Sequence, residues 1–258
     1  MKSGYINLRG HQVYSYEWPN NGEALLLLHG GLSQTSHFDF TVLPAVEDTH
    51  QIFGYDRTGH GYTGDRDGSM HFEFQYEEAV AYLEDVVKEP AHIIGFSDGA
   101  IIGLMVAMRR PDLVKSLVSF GGNFHHSGTL PLPEWDGFVS PEDRAEYAMT
   151  SPDAPETLDG KIAKMFAIWK SEPQFTVADI AQIKCPVLVL VGDDDVIDHK
   201  HSVLMYESIP QGRLAIIPGT SHQANKEKPE IFQLFIREFL SDLGYPETKM
   251  PMRRSLEK

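Results

Sequence analysis

Apolar positions in this chain fall into two kinds of run. Residues 24–28, 51–56, 91–96, 113–120, 186–191 and 213–217 are short and dense in apolar side chains, and each predicts a strand. Continuous apolarity, clearest at Ala24-Leu25-Leu26-Leu27-Leu28, marks a strand buried on both faces, as in a parallel sheet covered by helices. Phe72, Tyr76, Ala79, Val80, Leu83, Val86 and Val87 recur at helical spacing and predict a helix over 72–87. Residues 98–110 predict another. Arg109 and Arg110 sit in its last turn, where the helix dipole favours cations, and Pro111 stops it. Helices are also expected at 36–46, 200–207 and 229–243, and a strand pair over 5–17 that turns at Arg9-Gly10.

Strands alternating with helices imply a parallel α/β sheet. The alternation breaks between 121 and 183. That stretch is rich in Pro, Gly and acid, with helical pieces near 141–150 and 158–170 and no strand-like run. At roughly 60 residues it exceeds an ordinary connection. The expected organisation is an α/β core from 1–120 and 184–243, a helical insertion over 121–183, and a poorly ordered tail over 244–258.

The strongest chemical signal is Gly95-Phe96-Ser97-Asp98-Gly99, placed between a predicted strand and a predicted helix. A tight strand-to-helix turn exposes the serine hydroxyl, and small residues two positions either side let neighbouring backbone pass close by. The helix N-terminus then offers free N–H groups to a developing oxyanion. A serine hydroxyl is a weak nucleophile until a base takes its proton. In this setting the acid and the histidine follow the serine in chain order. Gly192-Asp193-Asp194-Asp195 and Gly219-Thr220-Ser221-His222 each follow a predicted strand. His222 is therefore the expected base and Asp195 the expected acid, with Asp193, Asp194 and Asp198 as alternatives. The acid would fix the imidazole tautomer and stabilise the imidazolium. The loop His29-Gly30-Gly31-Leu32 follows the first buried strand, where an oxyanion hole takes its second donor. The expected donors are the Gly31 and Asp98 backbone N–H groups, with Leu32 the alternative to Gly31; His29 reads as structural.

These segments together resemble the α/β-hydrolase fold superfamily over nearly the whole chain. The resemblance rests on His29-Gly30-Gly31, Asp56-Arg57-Thr58-Gly59-His60-Gly61, the turn at Ser97, and the two downstream loops, in family order. Gly95-Phe96-Ser97-Asp98-Gly99-Ala100 and Arg110-Pro111-Asp112-Leu113-Val114 are similar to the biphenyl hydrolase-like and valacyclovir-hydrolase group. The resemblance implies an eight-stranded, mostly parallel sheet flanked by helices, with a helical lid inserted after the sixth strand. Thr63 departs from the Ser that many relatives carry.

Charge and composition narrow the partners. With 22 Lys+Arg against 37 Asp+Glu, the net charge of −15 lacks the basic footprint that nucleic acid or an anionic membrane surface requires. Eight acids between Glu134 and Gly160 face only Arg144, so this part of the insertion carries a net −7. That placement suggests electrostatic steering of cationic or neutral substrates. Cys185 is the only cysteine, which excludes a disulfide framework or a thiolate zinc site within one chain. The first residues have no signal-like apolar core and no run is long enough to span a bilayer, so a cytoplasmic protein is expected. Gly59-His60-Gly61-Tyr62-Thr63-Gly64 spells G-x-G-x-x-G, but Asp65-Arg66-Asp67-Gly68 prolongs the loop where a dinucleotide site needs a helix. His125-His126 and His199-Lys200-His201 lack metal-ligand spacing. No cofactor and no metal are expected.

A small-molecule substrate follows. Leu32, Phe96, His125, Trp135 and Trp169 are candidate pocket residues. Asp98 has two readings: a carboxylate for a substrate cation such as an amino group, or charge stabilisation of its own helix N-terminus. The expected activity is hydrolysis of small carboxylic esters through an acyl-enzyme. C–C bond, lactone or thioester hydrolysis and cofactor-free perhydrolysis run on similar sites, and a binding protein retaining the three residues is a reading of another class. The sequence leaves monomer and small homo-oligomer open.

Overall fold

The computed structural model describes residues 1–131 and 134–252. Eight strands form one sheet: β1 (Lys2–Leu8), β2 (His11–Trp18), β3 (Glu23–Leu28), β4 (His50–Tyr55), β5 (Ala91–Phe96), β6 (Val114–Phe120), β7 (Val187–Asp194) and β8 (Gly212–Ser221). Their order is β1-β2-β4-β3-β5-β6-β7-β8. The β1–β2 and β2–β4 pairings are antiparallel, and all later neighbours run parallel.

The continuous apolar runs have the expected cause. In β3, Leu26 and Leu28 enter one core while Leu25 and Leu27 enter the other. Val187 and Val189 of β7 likewise face away from Leu188 and Leu190. Side chains alternate across a strand, so a sheet covered on both faces needs apolar residues at every position. Helices α1 (Phe72–Tyr82) and α2 (Asp98–Arg109) supply Phe72, Tyr82, Ile102 and Met105 to the first core. Helix α8 (Pro229–Ser241) supplies Phe232, Ile236 and Phe239 to the second.

Three local expectations are corrected. The single helix over 36–46 is instead two short turns, Thr35–Phe38 and Leu43–Ala45; Pro44 has no N–H to give to a continuing helix. The helix over 72–87 closes as a regular helix at Tyr82 and continues as one wider turn, Leu83–Val87, ended by Lys88 with φ 64°. Strand β8 runs on to Ser221 instead of ending at Ile217, because an irregularity opposite Gly192 and Asp194 accommodates Pro218-Gly219. That extension carries the chain up to His222.

Between β6 and β7 lie α3 (Pro141–Thr150), α4 (Leu158–Trp169) and α5 (Val177–Ile180). Residues Leu132 and Pro133 of this stretch, and 253–258 of the expected tail, lie outside the described residues. After α8, residues 242–252 form neither helix nor strand. Two further helices, α6 (His199–Ser208) and α7 (Ala224–Glu227), flank β8. Among the described residues no helix is long and apolar enough to cross a membrane.

The α6 face contains a half-buried histidine that links packing to pH. His201 stacks on Phe124 at 4.1 Å between ring centroids, and its Nε2 accepts the Phe124 backbone N–H at 3.1 Å. Burial, then the His125 charge, lowers its pKa to about 4, against the pull of Asp198. The unfolded chain therefore takes up this proton first as pH falls, from roughly 6.5. The stabilisation is present above that pH and is lost progressively down to about 4. Urea unfolding should show a free energy that declines over this window, and His201→Gln should remove up to about 1.4 kcal/mol per pH unit of the slope. Identical slopes for both chains would contradict the assignment.

Candidate active site

The sheet delivers the candidate residues to one edge. Ser97 follows β5, Gly121 follows β6, Asp195 follows β7 and His222 follows β8. Loops at the carboxyl ends of parallel strands are where α/β sheets place ligands.

Ser97 adopts φ 51° and ψ −115°, a left-handed conformation uncommon for a residue with a Cβ. Three contacts hold it there. Its N–H donates to Phe120 O at 2.8 Å, while its own carbonyl accepts the N–H groups of Ala100 at 2.9 Å and Ile101 at 3.1 Å. The flanking glycines are required by close approach: a Cβ on Gly99 would strike the Leu28 carbonyl, and one on Gly95 would strike the carbonyl of Gly99. The turn thus has β3 against one side and its own helix against the other.

His222 and Asp195 complete a relay. The Ser97 hydroxyl lies 3.0 Å from His222 Nε2, and His222 Nδ1 donates to Asp195 Oδ1 at 2.7 Å. Asp195 is buried, and its carboxylate also accepts the Ile197 N–H at 3.0 Å and the Gly192 N–H at 3.4 Å. The alternatives are used elsewhere. Asp193 is exposed and accepts the Thr220 N–H; Asp198 caps α6 through the Lys200 N–H; Asp194 is exposed at the end of β7. The imidazole rests against Phe96, with ring centroids 5.1 Å apart, and over Gly121. A Cβ on Gly121 would sit 2.8 Å from His222 Cε1, and its φ of 61° already favours glycine.

A cavity of about 190 Å³ opens on the serine. Of the expected pocket residues, Phe96, Asp98 and Trp169 line it, together with Gly31, Ser97 and His222. Leu32 does not: with φ 51° it turns away and lines a neighbouring cavity. His125 also stays out, because its ring accepts the Ser127 N–H to cap the turn 126–128. Trp135 stays out too, its indole N–H donating to Phe138 O within its own loop. Asn123, Thr129, Glu172 and Gln223 line the cavity without having been singled out. Gln223 is the neighbour of His222, a signal that was available; Thr129 and Glu172 carry no such signal.

Asp98 has partners of its own. It is 1 % exposed, accepts the Trp169 indole N–H at 2.9 Å, and lies 3.9 Å from the buried Arg57 guanidinium. Burial pushes its carboxyl up, against the pull of Arg57; its Oδ2 has no hydrogen-bond partner among the described residues. Arg57 in turn donates to Gly30 O at 2.7 Å, and the Arg57 N–H donates to His29 Nε2 at 3.0 Å. His29 therefore fixes the loop that carries Gly31, as its structural reading expected. Among the described residues no group of three or more His, Cys, Asp or Glu could hold a metal ion.

Comparison with known proteins gives the family. A family model described as the alpha/beta hydrolase family matches residues 25–232. A putative carbamate hydrolase, RutD, of Agrobacterium fabrum is 26% identical, over 83% of this chain and 92% of that protein. The serine hydrolase BPHL of Mus musculus is 21% identical, over 87% of this chain and 82% of that protein. Among solved structures, the meta-cleavage product hydrolase of Pseudomonas fluorescens superposes with a TM-score of 0.77 at 18% identity, covering 92% of this chain and 97% of that one.

The relay can be read without any substrate. The His222 Nδ1–H shared with Asp195 should give a downfield proton resonance, and Asp195→Ala should abolish it with the fold retained. Its persistence in Asp195→Ala would show that His222 has another partner.

Proposed function

The chain belongs to the alpha/beta hydrolase family and is a hydrolase, and on that premise we propose that it cleaves small carboxylic esters with Ser97 as nucleophile. The observation that carries this is the unbroken relay of 3.0 Å and 2.7 Å from Ser97 through His222 to Asp195, opening on a cavity. Ser97 Oγ attacks the carbonyl carbon while His222 Nε2 takes its proton. The tetrahedral oxyanion is held by the backbone N–H groups of Gly31 and Asp98. We assign Gly31 over Leu32 because Gly31 lines the cavity of Ser97. His222 then returns the proton to the leaving alkoxide, and water repeats the cycle on the acyl-enzyme. Helices α3 to α5 act as the lid, and the single cysteine fits a cytoplasmic setting.

A preference for amino-bearing substrates is part of the proposal. The cavity lining includes two carboxylates, Asp98 and Glu172, and no lysine or arginine; Glu172 is taken up by His71 and the Phe72 N–H, whereas Asp98 Oδ2, 3.9 Å from Arg57, lacks a hydrogen-bond partner among the described residues.

The test is a screen of p-nitrophenyl esters, carbamates, lactones, thioesters and amino-acid esters, with Ser97→Ala as blank. Ester turnover should dominate, and kcat should fall about 10⁶-fold in Ser97→Ala and about 10⁴-fold in Asp195→Asn. Full turnover by Ser97→Ala would overturn the mechanism. Amino-acid esters should exceed their N-acylated forms by about tenfold in kcat/KM, the scale of one charge-assisted contact, and Asp98→Asn should erase the difference. Equal values in both chains would remove Asp98 from substrate recognition.

A further inference from the structure

A second cavity of about 190 Å³ lies beside the first, across the Gly31–Leu32 loop. One face of α4 runs over both. Leu158, Lys161 and Ile162 line the second cavity, Trp169 lines the first, and Met165 falls between them at helical spacing. Met165 is fully buried, and its Cε would stand 2.9 Å from a Cβ built on Gly31. Its side chain therefore meets the loop that separates the cavities. From Leu158 to Trp169 the helix rises about 16 Å, long enough to cover an elongated molecule.

We propose that the two cavities are halves of one site for an elongated substrate, with Met165 as the movable partition and the second cavity taking an uncharged distal arm that donates a hydrogen bond. This rests on the hydrolase reading above. Methionine suits the role: an unbranched thioether with three rotatable bonds fills a gap and vacates it cheaply. Among the described residues the one cation lining the second cavity, Lys161, is already paired, and the carboxylates Asp143 and Glu146 line it too. Lys161 donates to Asp153 at 2.6 Å and to Gly59 O at 3.2 Å, and Glu146 accepts from His37 at 2.9 Å and from Gln34 at 3.0 Å. An anionic arm would find no unpaired cation among these residues and would face the Asp143 and Glu146 carboxylates. His60 is different. It is buried and lines this cavity, its Nδ1 donates to Thr58 O at 3.2 Å, and its Nε2 has no partner among the described residues. Burial and the Arg57 charge keep the ring neutral, so Nε2 is an acceptor. A hydroxyl or amide N–H on the arm would satisfy it, while Leu32, Tyr147, Leu158 and Ile162 would pack its apolar part.

The experiment compares p-nitrophenyl butyrate, decanoate, 10-hydroxydecanoate and the half-ester of decanedioic acid. The readout is the ratio of kcat/KM for each long ester to that for butyrate, because general damage to the fold moves both alike. In the wild-type chain 10-hydroxydecanoate should exceed the decanedioate half-ester by at least tenfold. Met165→Ala should raise the decanoate-to-butyrate ratio about tenfold, and Ile162→Trp, which fills the second cavity, should lower it about tenfold. Met165→Leu serves as the packing control and should not raise it. Ratios unchanged in both Met165→Ala and Ile162→Trp, or a preference for the charged arm, would overturn the proposal. Binding of 1,10-decanediol, followed through Trp169 fluorescence, reads the partition independently of turnover. Tighter binding in Met165→Ala and weaker binding in Ile162→Trp is expected even where no ester is cleaved, and equal binding would refute the second cavity.

Discussion

The site depends on one backbone conformation, that of Ser97 at φ 51°. A residue with a Cβ holds the left-handed region only where its surroundings over-determine it. Here they do so by contact. The carbonyl ends of β3 lie against Gly99, the carbonyl of Gly99 lies against Gly95, and Phe120 O takes the serine N–H. The imidazole is positioned from below by Gly121, which has no side chain to push it, and from the side by Phe96. Ser97 is thus placed by main-chain crowding between central strands, and Asp195 and His222 meet it because they too leave the carboxyl ends of parallel neighbours.

Charge is the second constraint, and it is more local than the net −15 implies. Beneath the Gly30–Gly31 turn, Arg57 is fully buried with His29 and Asp98 as neighbours. Removing one partner of such a set strands the other, so these groups act as a unit. The acidic insertion is partly neutralised from outside its own acidic stretch. Lys170 pairs with Glu134 and Lys161 with Asp153, Arg144 takes Asp159, and Glu146 is hydrogen-bonded to His37. The segment that looks most strongly negative in sequence is therefore also pinned to its surroundings by its acids. Long-range steering by its net charge is correspondingly weaker than a count of residues suggests.

Much of this was legible in the sequence because the signals were local. Uninterrupted apolar runs reported two-sided burial directly, and the glycine spacing around Ser97 reported a close approach of backbone. The order of the acidic and histidine loops reported which strand ends bring Asp195 and His222 to Ser97. Asp195 was separable from Asp193, Asp194 and Asp198 only by burial and partners, which three consecutive aspartates do not reveal. The pocket wall was the least legible part. His125 and Trp135 had the right residue type, yet each is consumed by a turn in its own loop. Glu172 and Thr129 reach the cavity from an insertion whose path over the site is set by tertiary contacts such as Trp169 on Asp98. The role of Met165 is likewise set by its contact with Gly31, more than 130 positions away in the chain.

The central claim is that Ser97 forms a covalent acyl-enzyme with His222 as its base. Rapid mixing with p-nitrophenyl acetate tests it most directly, combined with intact-mass and peptide analysis of the quenched protein. A burst of one p-nitrophenolate per chain is expected, with an acetyl group on the peptide containing Ser97 and loss of both in His222→Ala. Steady release without a burst, combined with an unmodified Ser97 peptide under conditions where deacylation is slowed, would contradict it.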